Sequence, residues 1–168
     1  MEIELRQWRI SDAECLAKYA NNARIAANVR NVFPHPYTFA DARQYIDCCA
    51  DGDESGRFLR AVVFQGEAVG AIGCLTQEDV HCKSGEMGYW LGEPFWGRGI
   101  MTASAKLMCE WVFQNTDLVR VFALSFDYNV GSMKVLEKAG FQLEGILRSS
   151  IYKNGKIFDS RLYARIKA

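Results

Sequence analysis

The sequence predicts an α/β protein: a mixed, mostly antiparallel central sheet flanked by helices. Three observations carry that expectation. Alternating or β-branched runs such as "EIELRQW", "RFLRAVVF", "AVGAIGCL" and "LVRVFALSF" are interleaved with stretches of helical period. Two pairs of runs meet at tight-turn residues, "QGE" and Asn154-Gly155, which is the chemistry of antiparallel hairpins. The 168 residues, 49% hydrophobic and 24% charged, contain no repeat or linker and fit one domain over 1–168.

The elements follow in order. "EIELRQW" alternates and reads as the first strand. Ser11 and Glu14 have capping-box spacing, with Ile10 and Cys15 placed as a hydrophobic staple, and Ala13, Leu16, Ala17 and Ala20 then share one helical face. A second helical piece covers about Asn22 to Val29, until the two prolines of "RNVFPHPYT" interrupt it. Thr38 caps a third helix bearing Ala42, Tyr45, Ile46 and Cys49. "DGDESG" is a turn, the next two strands form a hairpin, and "GEMGYWL" is a further strand. From Ile100 a helix carries Ala103, Leu107 and Trp111 on one stripe. After "LVRVFALSF" comes "NVGSMKVLEKAGF", a helix that Asn129 caps and Gly140 ends. The last run, "ILRSSIYKNGKIFDSRLYARI", is a hairpin turning at Asn154-Gly155.

Composition narrows the function. The net charge is zero with no basic block, which argues against a nucleic-acid groove. Charges recur through "MEIELRQWRI" and no apolar run reaches spanning length, so neither an export signal nor a membrane segment is expected. The six cysteines lack zinc spacing and read as reduced thiols of a cytoplasmic protein, with no metal.

The chemistry concentrates in "EPFWGRGIMTASAKLM". Gly97 and Gly99 immediately precede a helix N-terminus, where unpaired N–H groups and the positive end of the dipole make a phosphate site. Glycine lets phosphate oxygens approach the amides, and Arg98 between the two adds charge at the rim. A Rossmann loop would need a small third residue where Thr102 stands, and a Walker loop would need Gly-Lys-Ser/Thr. The expected ligand is therefore phosphorylated but neither a typical dinucleotide nor a nucleoside triphosphate.

Five motifs in order, "FPHPYT", "EMGYWL", "FWGRGI", "N..S...LEKAGF" and "YKNGKIFDSRLYA", resemble the Gcn5-related N-acetyltransferases (GNAT), and more narrowly their RimJ/RimL-like branch. The resemblance covers nearly the whole chain. It implies an enzyme that transfers acetyl from acetyl-CoA to a primary amine, either a protein N-terminal α-amine or a small-molecule amine. It implies that the pyrophosphate lies on the loop of Trp96, Gly97, Arg98, Gly99, Ile100, Met101 and Thr102. Glu86 matches the family's base, Asn129 the residue that bonds the pantetheine arm, and Ser132 the hydroxyl facing the thioester sulfur.

Helix capping by Asn129 and Ser132 is the alternative reading of that pair, and Trp96 reads as packing. Two departures stand out. Leu136 occupies the position where many members carry a tyrosine that protonates the thiolate. Met101 replaces a small residue and is expected to narrow the space beside the pyrophosphate. The loop histidines His35 and His81 are expected to be idle. Arg24, Arg30, Tyr37, Tyr152 and Lys153 fall in the segments that form the branch's acceptor groove. They include no acidic cluster of the kind a polyamine or aminoglycoside site needs. An antibiotic, polyamine or amino-acid amine as acceptor, an acetyl-CoA-binding protein without catalysis, and a homodimer through the sheet edge or last hairpin all remain compatible with the sequence.

Overall fold

The computed structural model of the chain describes residues 2–50 and 52–168. Strand β1 (Ile3–Arg6) leads into helices α1 (Ala13–Ala20), α2 (Ala23–Ala26) and α3 (Phe39–Cys48). Strands β2 (Arg57–Phe64), β3 (Glu67–Thr76) and β4 (Ser84–Leu91) follow, then α4 (Ile100–Asn115), β5 (Arg120–Phe126) and α5 (Val130–Lys138). The hairpin β6 (Gln142–Lys153) and β7 (Lys156–Ile166) closes the chain. The strands form one seven-stranded sheet in the order β1-β2-β3-β4-β5-β7-β6. All neighbours are antiparallel except β4 and β5, which is the mixed sheet the sequence predicts.

Both expected hairpin turns form with left-handed backbone at their two central residues: φ 53° and 83° at Gln65-Gly66, 51° and 75° at Asn154-Gly155. Of the expected "DGDESG" turn, Asp51 lies outside the described residues, while Gly52 to Gly56 do form a turn.

Two cores cover the two faces of the sheet. On one, α4 and α5 bury Ile100, Ala105, Met108, Val112 and Leu136 against Val62, Ile72, Met87, Val121 and Tyr163. On the other, α1 and α3 bury Leu16, Ala20, Ala42 and Ile46 against Ala61, Val63, Ala68 and Ala71. Thr38 caps α3 as expected, its Oγ1 accepting from the Asp41 N–H at 3.2 Å.

Three local expectations are corrected. α1 does not begin with a Ser11–Glu14 box: a 3-10 turn over Ile10–Asp12 precedes it, and Ile10 is 51% exposed rather than stapled. Asp12 organises that entry instead, accepting from the Arg6 guanidinium at 2.7 and 2.8 Å and from the Arg9 N–H at 2.9 Å. α2 is a single turn, capped by the Asn22 side chain, which accepts from the Arg24 and Ile25 amides. On α4 the buried stripe is Met101, Ser104, Ala105, Met108 and Val112, not Ala103, Leu107 and Trp111. That helix is apolar on more than one side, so its own sequence allows more than one stripe and the sheet selects among them.

Candidate active site

β4 and β5 pair only from Ser84 to Glu86 against Arg120 to Phe122. Beyond Glu86, β4 continues along β3 to Leu91, and β5 continues along β7 to Phe126. The two strands therefore part in the middle of the sheet. Along the gap their facing backbone N–H and C=O groups have no cross-strand partner, and such groups call for one. Because β4 and β5 run parallel, α4 and α5 both start at the open end of the gap. That is where open α/β sheets hold ligands, outside the carboxyl ends of strands at a change in strand order.

Strand alternation sorts the side chains of β4 to the two faces. Met87, Tyr89 and Leu91 turn toward the α4–α5 core, and Trp90 packs in the α1–α3 core, so Glu86 and Gly88 share the α1–α3 face. Glu86 stands at the apex of the gap, half-buried, with its carboxylate ion-paired to Arg30. At Gly88 an added Cβ would meet no atom within 4 Å, so this position keeps the space beside Glu86 open. On the opposite face the Tyr89 hydroxyl lies 2.8 Å from Ser132 Oγ and 3.3 Å from the Ser132 carbonyl oxygen. Burial pushes the Tyr89 phenol up to about 12. Asn129 caps α5, its Oδ1 accepting from the Ser132 N–H at 3.1 Å. Leu136 is fully buried in the core.

The loop from β4 to α4 is pinned at its start. Trp96 Nε1 donates to the Leu91 carbonyl at 2.6 Å, and the residue, 38% exposed, lies outside both cores. Glu93 accepts from Asn22 Nδ2 at 2.6 Å and pairs with Arg24, and these bonds hold its carboxyl below the usual range. Gly97 and Gly99 have φ of 72° and 77°, left-handed values that glycine adopts without strain. Gly99 is the N-cap of α4 and no side chain caps that helix. Nothing lies within 4 Å of a Cβ built at Gly97.

Ile100 and Met101 are 0% and 5% exposed, their side chains in the core. Met101 therefore does not crowd the loop as the sequence suggested, and only its backbone faces the helix terminus. The Arg98 guanidinium lies over the rings of Phe64, at 4.8 Å, and Phe95, at 5.9 Å. It borders a shallow depression walled by Glu2, Glu4 and Gln65 at the β1–β2 edge.

The segment after α2 covers the α1–α3 face of the gap. Tyr128 Oη donates to the Ala27 carbonyl at 2.5 Å. Lys153 Nζ, at the tip of the last hairpin, donates to the Val29 carbonyl at 2.8 Å and to Asn31 Oδ1 at 3.0 Å. Arg30 sits between those two anchors. Lys153 is buried, and that burial lowers its pKa. Tyr37 is also buried, at 6% exposure, packing on Phe33 as a core residue rather than a groove residue, which corrects that expectation. Tyr152, at 70%, does face solvent.

The sequence had assigned no role to Tyr89, Gly88 or the contact of Arg30 with Glu86. The period of two along "EMGYWL" was the available signal for Tyr89, since it sets Glu86 and Tyr89 on opposite faces. The Arg30 contact spans 56 residues and has no local signal.

A family model described as an acetyltransferase (GNAT) domain matches residues 2–142. The chain belongs to the GNAT acetyltransferase family. It is 33% identical to YdaF of Bacillus subtilis (strain 168), named as a candidate ribosomal N-acetyltransferase, over 125 residues. That stretch is 74% of this chain and 64% of YdaF, so the match spans less than two thirds of that relative. Spermidine N(1)-acetyltransferase of Escherichia coli (strain K12) is 24% identical over 155 residues, 92% of this chain and 80% of that one. The solved structure of RimL, a ribosomal L7/L12 α-N-protein acetyltransferase in complex with coenzyme A, superposes with a TM-score of 0.85. Its identity is 25%, covering 98% of this chain and 94% of that one. The mixed, mostly antiparallel fold is thus that of solved GNAT structures, and RimL-like proteins are among the chain's structural neighbours, as the motifs suggested. Among the described residues no helix is long and apolar enough to cross a membrane, and no cluster of His, Cys, Asp and Glu could hold a metal ion.

Proposed function

We propose that the chain is an N-acetyltransferase using acetyl-CoA, and that its acceptor is a primary amine: a protein N-terminus or a small molecule. Its setting would be the cytoplasm. The observation that carries this reading is the gap between β4 and β5, with a carboxylate on one face of the sheet and a hydroxyl pair on the other. The residues fit the cosubstrate. Unpartnered strand edges suit the two amides of a pantetheine arm, as an added strand would. The uncapped N-terminus of α4, behind Gly97 and Gly99, suits a pyrophosphate.

Acetyl-CoA, when bound, supplies an acyl group activated as a thioester. An ammonium loses two protons on becoming an amide, one before attack and one after it that ends on the departing sulfur. The protein's part is to take the first and steady the charge developing on sulfur. An α-amine titrates near 8 and a lysine near 10.4, so the acceptor arrives largely as an ammonium. Glu86 takes its proton on the α1–α3 face, directly or through water. Ser132 supports the sulfur from the α4–α5 face. With Tyr89 donating to Ser132 Oγ, the hydroxyl proton of Ser132 is released to bond the sulfur. Neither hydroxyl is acidic enough to be a strong proton donor near neutral pH, so their contribution is hydrogen bonding. Asn129 bonds the pantetheine arm with the part of its amide that does not cap α5. Opposed carboxylate and hydroxyls also weigh against a binding protein that has lost its chemistry.

Calorimetric titration with acetyl-CoA tests the reading, with NADH and ATP as controls. Micromolar binding of acetyl-CoA alone is expected, followed by thiol release when amines are added. Absence of acetyl-CoA binding overturns it.

A further inference from the structure

Resting on that reading, we infer that Arg30 selects the acceptor, which carries an anionic group within a few bonds of its reacting amine. The Arg30 guanidinium sits on Glu86, where an incoming ammonium must deliver its proton. Reaction requires that contact to open. Arg30 is 65% exposed and Glu86 21%, so the guanidinium regains water as it leaves while Glu86 needs the incoming ammonium as its new partner.

What Arg30 does after separation decides specificity. Its segment is held at three points: Tyr128 on the Ala27 carbonyl, and Lys153 on the Val29 carbonyl and on Asn31 Oδ1. The anchors flank Arg30 on both sides and hold its backbone near Glu86, so the released guanidinium remains within reach of the mouth of the site. A purely cationic acceptor would take Glu86 from Arg30 and then face that guanidinium with a like charge. An acceptor with a carboxylate near its amine exchanges partners instead: the ammonium goes to Glu86 and the carboxylate to Arg30. Arg matches a carboxylate with two parallel hydrogen bonds. The shared chemistry is that of a free α-amino acid or of a peptide N-terminus followed by an acidic residue. The difference from the spermidine enzyme's acceptor is then one of charge next to the base.

Thiol release from acetyl-CoA, measured with matched probes, tests this. The peptide probes are Ser-Asp-Ala amide, Ser-Asn-Ala amide and Ser-Lys-Ala amide. The small probes are L-serine, its methyl ester and spermidine. The expected wild-type result is a roughly 10- to 100-fold higher kcat/KM for the anionic member of the peptide set, the serine set or both, the range of one charge-assisted contact. Which set shows it identifies the source of the carboxylate. Arg30→Ala should abolish the preference chiefly through KM while acetyl-CoA affinity is unchanged, and Arg30→Lys should restore part of it. Equal turnover of neutral or cationic probes by the wild type, or a preference that survives Arg30→Ala, overturns the inference and leaves the acetyltransferase reading standing. Acetyl-CoA binding without turnover of any probe overturns both the inference and the amine-acceptor reading. Loss of acetyl-CoA binding in the wild type overturns the parent reading.

Discussion

At the scale of single residues, Glu86 and Tyr89 stand three positions apart on one strand and serve opposite faces of the sheet. Replacing Glu86 by Gln removes the proposed proton acceptor while keeping shape. Turnover should fall roughly 10²- to 10⁴-fold, the usual range for a general base, with acetyl-CoA affinity preserved in calorimetry. Tyr89→Phe removes only the hydroxyl partner of Ser132. A fall of about tenfold in kcat is expected, the rate equivalent of one hydrogen bond of about 1.4 kcal/mol, with KM for acetyl-CoA held. An unchanged kcat in Tyr89→Phe would remove the pair from the mechanism. Leu136 lies in the core, and the hydroxyl beside Ser132 is that of Tyr89 on β4.

At the scale of elements, the site is made by a strand pair that stops pairing. β4 and β5 share three residue pairs and then diverge, which opens the sheet without ending either strand. Gly88 tests whether that opening is the reaction channel. Its backbone is not left-handed and a Cβ there meets no atom within 4 Å, so Gly88→Ala should fold with stability unchanged to within about 1 kcal/mol. The methyl would nevertheless enter the space beside Glu86. Thermal melts matching the wild type, together with a kcat/KM lowered tenfold or more, are the expected outcome. Full activity would mean that substrate passes elsewhere. Gly97 and Gly99 are less clean probes, because their φ values would strain any other residue whatever the ligand.

At the scale of the whole molecule, the Glu86 face of the gap depends on how the α1–α3 layer is fastened to the sheet. Asp12 joins β1 to the entry of α1 through Arg6, with side chains 9% and 14% exposed. Burial alone would raise the Asp12 carboxyl, but the hydrogen bonds from Arg6 and the Arg9 amide outweigh it and the net shift is downward. A carboxyl with a depressed folded pKa contributes stability that is present above its unfolded value, about 3.9 for aspartate, and lost as pH falls through the folded value. Asp12→Ala should therefore lose about 3 kcal/mol in urea unfolding at pH 7. The gap between variant and wild type should narrow as the pH falls below about 4. A gap independent of pH would show that Asp12 acts by packing alone.

The sequence by itself determined what depends on near neighbours. Hairpin turns at Gln65-Gly66 and Asn154-Gly155, the Thr38 and Asn129 caps, the strand alternation and the glycine loop are all set within a few residues, and each appears where the pattern put it. The motif order was enough to indicate the family. The tertiary structure alone decided which stripe of α4 is buried, that Met101 turns inward, and that Asp12 rather than Ser11 organises the start of α1. It also decided that Arg30 meets Glu86 and that Lys153 holds the Val29 carbonyl across 124 residues. The physical reason is range. Turn and cap preferences are backbone energies of one to four residues, whereas burial and long-range ion pairs depend on which surfaces the sheet brings together, and one chain's local pattern allows several such arrangements.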